Sequence, residues 1–394
     1  MRFGLVHCRR RHAPKASLRS WLIIPWGEND LAVRPLVEND IPQVADLFWT
    51  VMRGRNGSAP PAVRSFFQKL YFANPLIDSS IPSLVYEGKG GRIVGFLGVV
   101  VRKMSVCGQP IRAAFGGNFV VDPEARSNLA GMRLLGTYMA GDQDLSQTDS
   151  ANNVSRNLLE RLGFRTIVPL SVHWARPLRP CHYAVYAMSR LTGPVLSSSL
   201  RFAAKPFCSI VDGIATRLSS SPFRQSESSL HAAELDVETL LHCLATFRSG
   251  YSLWPEYDVG SLTWLLSFMN RLQTRGDLRK VVLRDASQKI LGWYIYYVKP
   301  GAVGEVVQIG GERQFTRDIL DHLFYDAWNH GVVGLHGMVP TRLMGDFSEK
   351  NCVFACRGGW TVAHSRRPEL LELLNRGDAF LSRLDGEWCL AYGG

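Results

Sequence analysis

Apolar and polar positions change period several times along the chain, and the changes mark out its elements. Leu31 to Pro35 alternates as a short strand, after which Ile41, Val44, Ala45, Leu47, Phe48 and Val51 recur at helical spacing, with Asp40 placed to cap that helix. A Gly-Ser-Ala-Pro-Pro break at 57–61 separates it from a second helix containing Phe66, Phe67, Leu70 and Tyr71. Ser83 to Glu87 and Ile93 to Val101 flank Gly88-Lys89-Gly90-Gly91 as a hairpin. A further strand from Ile111 to Val121 stops at Asp122-Pro123, because proline has no N–H to give to a ladder. Leu129, Met132, Leu135 and Met139 then predict a helix, followed by a short strand and a second helix closed by Gly163-Phe164. Thr166 to Trp174 reads as a closing strand, and Arg176-Pro177-Leu178-Arg179-Pro180 ends the unit.

The second half repeats this order. Asp236 opens an acid-capped helix with Leu240, Leu241 and Leu244, and Trp264, Leu265, Phe268, Met269 and Leu272 predict another. A hairpin follows around Asp285 to Lys289, in which Ile290-Leu291-Gly292-Trp293 corresponds to Ile93-Val94-Gly95-Phe96. Glu305 to Ile309, Arg317 to Trp328 and Val332 to Leu335 then match the strand, helix and strand of the first half, so the chain reads as a duplicated α/β unit. The divisions are a basic arm at 1–29, a first unit at 30–180, a helical basic linker at 181–224 and a second unit at 225–394.

Charge adds where the basic residues lie. The formal net charge is +11 over 394 residues. Residues 1–29 hold six Lys and Arg against Glu28, and residues 176–224 hold seven against Asp212, so these two stretches carry the whole excess. An excess confined to an arm and a linker, without a nucleic-acid-binding motif, sets nucleic acid aside as a partner. Segments 183–191 and 200–218, broken by Gly193-Pro194 and Pro206, pack two domains together or offer a peripheral membrane contact through 181–224. The eight cysteines are scattered without zinc-site spacing, so no metal is expected. No secretory h-region follows the N-terminal arginines, which places the expected location in the cytoplasm.

The candidate chemistry lies between Phe119 and Phe164. Between strand and helix, Arg126-Ser127-Asn128-Leu129-Ala130-Gly131 is a turn that aims backbone N–H groups along the incoming helix dipole, an anion site suited to a pyrophosphate. This segment resembles the acyl-CoA-binding half of the GNAT acetyltransferase superfamily. The family's turn, Arg/Gln-x-x-Gly-x-Gly/Ala, is matched at Arg126 and Gly131 but carries Leu129 at the middle position. The family's Asn-helix-Gly-Phe signature is matched by Asn152, Ser155, Leu158, Glu160, Leu162, Gly163 and Phe164. Leu159 stands where many members have a Tyr acting as general acid.

The resemblance implies two GNAT-like mixed-sheet units in tandem, a layout also found in tandem GNAT and peptidoglycan-bridge aminoacyltransferases. It implies an acyl-CoA-dependent N-acyltransferase whose substrate is acetyl-CoA or another acyl-CoA, acting on an amine of a small molecule or glycan precursor. The expected contacts are Phe119, Val120 and Val121 to pantetheine, Arg126, Ser127, Asn128, Leu129, Ala130 and Gly131 to the pyrophosphate, and Asn152 and Ser155 beside them. A fourth strand that bulges and splays from the fifth is implied as well. Its backbone N–H groups, such as that of Val120, are candidate oxyanion donors. No side chain declares itself as the base: Asn118, Asp122, Glu124 and Glu305 are the candidates weighed, and Tyr138 reads as core. The second unit lacks the Arg-x-x-Gly-x-Gly turn, and its Glu312 opposes a phosphate. The alternative reading is a degenerate pair that binds acyl-CoA without catalysis or serves as a scaffold; a peptidyl aminoacyltransferase is a third.

Overall fold

The computed structural model describes residues 32–392 without Asn56, 190–193, Ser226, Ser249 and 357–358. The side chains at 126–128, 194–203 and 273 lie outside that description, as does the basic arm at 1–29. In chain order the first half contains β1 (Ala32–Pro35), α1 (Ile41–Arg53), α2 (Pro61–Tyr71), β2 (Leu84–Glu87), β3 (Ile93–Val106) and β4 (Gln109–Val121). It continues through α3 (Ala130–Met139), β5 (Leu145–Ala151), α4 (Asn153–Arg161), β6 (Arg165–Thr166), α5 (Val168–Ser171) and β7 (His173–Pro177). Two helices, α6 (Pro180–Ser189) and α7 (Pro194–Arg217), lead to β8 (His231–Glu234), α8 (Val237–Thr246), β9 (Leu253–Pro255) and α9 (Val259–Asn270). The chain then forms β10 (Asp277–Arg284), β11 (Ile290–Val298), β12 (Val303–Gly311), α10 (Thr316–Asn329) and β13 (Gly334–Met338). It closes with α11 (Met344–Glu349), β14 (Val353–Ala355), β15 (Trp360–His364) and α12 (Pro368–Asn375).

Local signals account for most of these elements. β3 and β4 run beyond the predicted limits because Cys107 and Gly108, both at positive φ, turn the chain tightly into an antiparallel pair from Val106↔Gln109 to Gly95↔Val121. Asp236 and Asp258 cap α8 and α9 through the N–H groups of Thr239 and Ser261. Asp40 does not cap α1 as expected. Its carboxylate is taken by the Arg34 guanidinium at 2.7 and 2.9 Å and by the Val37 N–H, which tie β1 to the entry of the helix. Pro206 does not end α7 either: the helix runs through it and packs against α6.

The sheets show an exchange that local pattern does not announce. The first sheet has the order β1-β2-β3-β4-β5-β15-β6, and the second β14-β7-β13-β12-β11-β10-β8. The stretch from Thr166 to Trp174 is therefore not the closing strand of the first sheet. It breaks into the end of β6, the short α5 and the start of β7, and β7 pairs with β13 of the other sheet, Pro177 opposite Gly334. The vacated position is filled from the far end of the chain by β15, which pairs with β5 (His364↔Ser146) and β6 (Val362↔Thr166). Each sheet thus completes the other. Each also contains one parallel junction, β4/β5 and β12/β13.

The largest core lies between the sheets, where Phe48, Phe67, Tyr71 and Phe96 meet Leu240, Leu265, Trp293, Tyr297 and, from the C-terminal segment, Leu384 and Leu390. The outer faces are covered by α3 and α4 on one sheet and by α10 and α11 on the other. Among the described residues no helix is long and apolar enough to cross a membrane.

The exchange makes a direct prediction. A fragment of residues 30–180 leaves β5 without β15 as a neighbour and β7 without a sheet, exposing strand edges. It is expected to show no cooperative thermal transition by circular dichroism, whereas the full chain unfolds cooperatively; a sharp transition in the fragment would contradict this.

Candidate active site

The site forms where β4 and β5 part. Their parallel register covers only Ala113–Phe115 against Leu145–Gln147, and beyond it β4 keeps its pairing with β3 while its other edge opens. Two features force the opening. The β3–β4 register shifts between Phe96/Val120 and Gly98/Gly117, which adds one residue to β4, and Asn118 sits there at φ 50°. Inside the fork, the Tyr138 hydroxyl donates to the Ala114 carbonyl at 2.6 Å and accepts the Gln147 N–H at 3.2 Å. Tyr138 is therefore a buried pin between the strands, in keeping with its reading as core.

The space beyond Tyr138 is filled by Glu387, from the segment after α12. Its carboxylate accepts from the N–H groups of Asp149 (2.8 Å) and Ser150 (3.1 Å) and from the hydroxyls of Ser150 (2.8 Å) and Thr148. Gly117 permits this approach: a Cβ there would lie 2.8 Å from the Glu387 Cγ. The main chain beyond Glu387 is fixed by the Trp388 N–H donating to Asp149 at 3.0 Å. Burial, reinforced by the Asp149 carboxylate, pushes the Glu387 carboxyl well above the usual range.

A cavity of about 340 Å³ passes through the fork and touches both faces of the sheet. On one side its walls are Leu135, Leu159, Phe164 and the start of α4; on the other they are Phe48, Met52, Leu70, Tyr71, Leu390 and Tyr392, with Glu387 and Asn118 between. Asn118 donates to the Tyr71 hydroxyl at 2.9 Å. Among the described lining residues Glu387 is the single carboxylate.

Of the expected contact residues Phe119, Asn152 and Ser155 line this cavity, and Val120, Val121, Leu129, Ala130 and Gly131 do not. Phe119 lines it, while the side chains of Val121 and Val120 pack on opposite faces of the sheet. The Val120 N–H does not face the fork. The Asp122 N–H donates to the Val94 carbonyl, so alternation along the ladder turns the Val120 N–H toward β3 and the Val121 N–H toward the open edge. The turn Pro123–Asn128 is a 3-10 helix leading into α3, and Leu129 takes the left-handed conformation (φ 58°, ψ 20°) with its side chain exposed. Ala130 is fully buried, and Gly131 lets α3 approach β4, since a Cβ there would stand 3.2 Å from the Phe119 ring. Asn152 caps α4 by accepting the Ser155 N–H at 2.9 Å, and both residues border the cavity. Leu159 is buried in the cavity wall.

Of the acids considered for the base, none lines the cavity. Asp122 pairs with Arg92 at 2.6 Å and caps the turn through the Glu124 N–H. Glu305 pairs with His336 at 3.1 Å, and His336 and Arg383 hold its carboxyl down to about 2 against burial, which leaves it a weak proton acceptor. Glu387 was missed because it belongs to no spacing motif. Its one signal is chemical: it adjoins the apolar stretch Trp388-Cys389-Leu390-Ala391-Tyr392, and an acid drawn inside with such a stretch needs donors.

The duplicated unit has the same fork in closed form. β12 and β13 pair only from Val303↔Gly334 to Val306↔Gly337. The open edge beyond is taken by the C-terminal segment, with the Arg383 N–H donating to the Val307 carbonyl and the Gln308 side chain bonding Ser382 and Trp293. Glu312, in the place of the phosphate turn, is paired with Lys289.

Two mixed sheets, each split at a parallel junction, define a tandem GNAT fold, and solved structures agree. A GCN5-related N-acetyltransferase from Anabaena variabilis is similar at TM-score 0.55 and 12% identity, over 86% of this chain and 73% of that one. A conserved Enterococcus faecalis protein described as a probable N-acyltransferase is similar at TM-score 0.56 and 10% identity, over 85% and 72%. Saccharomyces cerevisiae N-myristoyltransferase with bound myristoyl-CoA is similar at TM-score 0.50 and 10% identity, over 86% and 83%. No protein-family model and no curated protein sequence matches the chain.

Substituting Gly117 by Ala should drive Glu387 from the fork and lower stability by about 1–3 kcal/mol, the usual penalty of overpacking. Gly136→Ala, on α3 with open space at its Cβ, should instead raise it by about 0.5–1 kcal/mol. Urea unfolding of both variants checks the pair.

Proposed function

We propose that the protein is an acyl-CoA-dependent N-acyltransferase in which Glu387 is the general base. The observation that carries this is one buried carboxylate, raised in pKa, lining a cavity that passes through the β4/β5 fork. In this reading the pyrophosphate of an acyl-CoA lies over the turn from Arg126 to Gly131 at the N-terminus of α3. Its pantetheine follows the open edge of β4 at Phe119–Val121, and Asn152 and Ser155 border the same channel. The thioester carbonyl then reaches the bulge at Asn118, where backbone N–H groups of the open edge receive its oxygen.

The acceptor enters from the side of α1 and α2. Its amine gives a proton to the Glu387 carboxylate as nitrogen attacks the carbonyl carbon; the C–N bond forms, the tetrahedral oxyanion collapses and the C–S bond breaks. CoA leaves as the thiolate, since Leu159 has no proton to give. The acyl group is acetyl or longer, and the acceptor is an amine of a small molecule or glycan precursor. A polycationic acceptor is disfavoured: the described walls offer it one carboxylate, and Arg53 also lines them.

Leu129 supports retention of the anion site. A leucine in the left-handed region costs roughly 1–2 kcal/mol, yet the turn keeps this conformation where the resembled family has glycine. Leu159 favours the second reading, a binder of acyl-CoA without turnover, because it has no proton to give to the leaving thiolate.

Calorimetry with acetyl-CoA and longer acyl-CoAs separates these readings from neither being true. Wild type should bind and Arg126→Ala should bind at least tenfold more weakly; equal, millimolar affinities would rule out the CoA site. Glu387→Gln should preserve binding and lower kcat by about 10²–10⁴, the range of a lost general base. Because the base acts only when ionised, kcat/KM of the wild type should fall as pH drops through a pKa above about 4.3, and this limb should vanish in Glu387→Gln. Binding without thiol release across a panel of amines would select the non-catalytic reading.

A further inference from the structure

The linker helices carry a surface that the acyl-transfer reading does not use. The inner face of α7 is fixed: Asp212 is buried and accepts the N–H groups of Cys181 and His182 at the start of α6, together with the His182 ring at 2.6 Å. The hairpin is tied in turn to the second sheet, with the Tyr183 ring against Gly334 and the Arg179 guanidinium over Trp328. The opposite face of α7 has no such covering. Phe207, Ile210, Ile214 and Leu218 follow one another at intervals of three, four and four and are 65%, 65%, 57% and 55% exposed. Four such side chains on one helical stripe form a continuous apolar strip. Among the described residues no other element exposes more than one large apolar side chain.

The exposed charges of the described part of this segment have one sign. Residues 181–224 contain five Lys and Arg and a single acid, Asp212, which is turned inward. Lys205, Arg217 and Arg224 are exposed. An apolar strip with Arg217 at its edge, on a segment whose exposed charges among the described residues are cations, matches a bilayer surface with anionic headgroups, apolar side chains entering the headgroup–acyl boundary and cations meeting phosphates. It fits a second copy of itself poorly, because apposed strips would bring Arg217 near its own counterpart without an exposed acid in the segment to separate them.

We propose that the outer face of α7 seats the protein on an anionic membrane surface through Phe207, Ile210, Ile214 and Leu218. Co-sedimentation of the full chain with phosphatidylcholine vesicles, with and without 30% phosphatidylserine, tests it. Binding is expected to the anionic vesicles, at least tenfold weaker to the neutral ones, and weakened by salt. The double variant Phe207→Ser/Ile214→Ser should lose at least tenfold in vesicle binding while keeping the thermal midpoint and acyl-CoA affinity of the wild type. The basic arm at 1–29 remains in that variant, so undiminished binding would assign the attachment to the arm and overturn the proposal. A wild type that ignores anionic vesicles overturns it too, as does a wild-type dimer that the double variant dissociates when vesicles are not bound.

Discussion

The burial of one carboxylate in a split sheet governs the arrangement of the site. An ionisable group taken out of water needs donors, or it costs several kcal/mol. Glu387 finds them in the N–H groups of Asp149 and Ser150 and in two hydroxyls of the same strand. Those N–H groups are free because β5 has lost β4 as a partner beyond Gln147 and bulges against β15 between Thr148 and Ala151. The need runs both ways. Without the wedge, β5 would hold unpaired donors inside the protein; without the fork, Glu387 would have no seat. Donors on one side only, with an apolar cavity on the other, leave the carboxylate held in place and high in pKa, the combination a proton acceptor needs.

The segment that delivers Glu387 is strapped to both halves of the molecule. In the first sheet Arg102 donates to the Asp385 carbonyl at 3.0 Å, and Arg53 of α1 donates to that of Tyr392 at 2.9 Å. From the second unit Arg275 donates to the Trp388 carbonyl at 2.8 Å and stacks on its ring, which Arg383 covers as well. Together with the exchange of β7 and β15, this makes the cavity a property of the whole chain. Neither half contains both the fork and its wedge.

Readability in the sequence followed the range of the interactions. Hairpins, capped helices and the duplication were visible because their causes lie within a few residues, as in the Asp236 and Asp258 caps. The break between β4 and α3, at Pro123–Asn128, was visible for the same reason. The exchange was hidden: β7 buries Trp174 and Arg176 on one face, and this alternation says which residues point inward but not into which sheet. Asp40 shows the reverse error, a local expectation overridden by a guanidinium six residues away. Glu387 lay furthest from reach, since its donors are more than 230 residues distant along the chain.

The two forks show what duplication left common and what it let diverge. Both come from the same cause, a parallel pair that separates after three or four residues, and both present an open strand edge that has to be satisfied. In the second unit the chain satisfies it with its own backbone, Arg383 on Val307, and with the linked side chains of Trp293, Gln308 and Ser382. In the first unit the chain supplies only Glu387 at the apex and leaves the edge toward Val121 beside a cavity. One stretch of the C-terminal segment therefore closes one fork and arms the other. Ser382 and Arg383, which seal β12, stand five and four residues before Glu387 and so fix where it falls, and the second unit acts on the first as the clamp that sets the depth of its carboxylate.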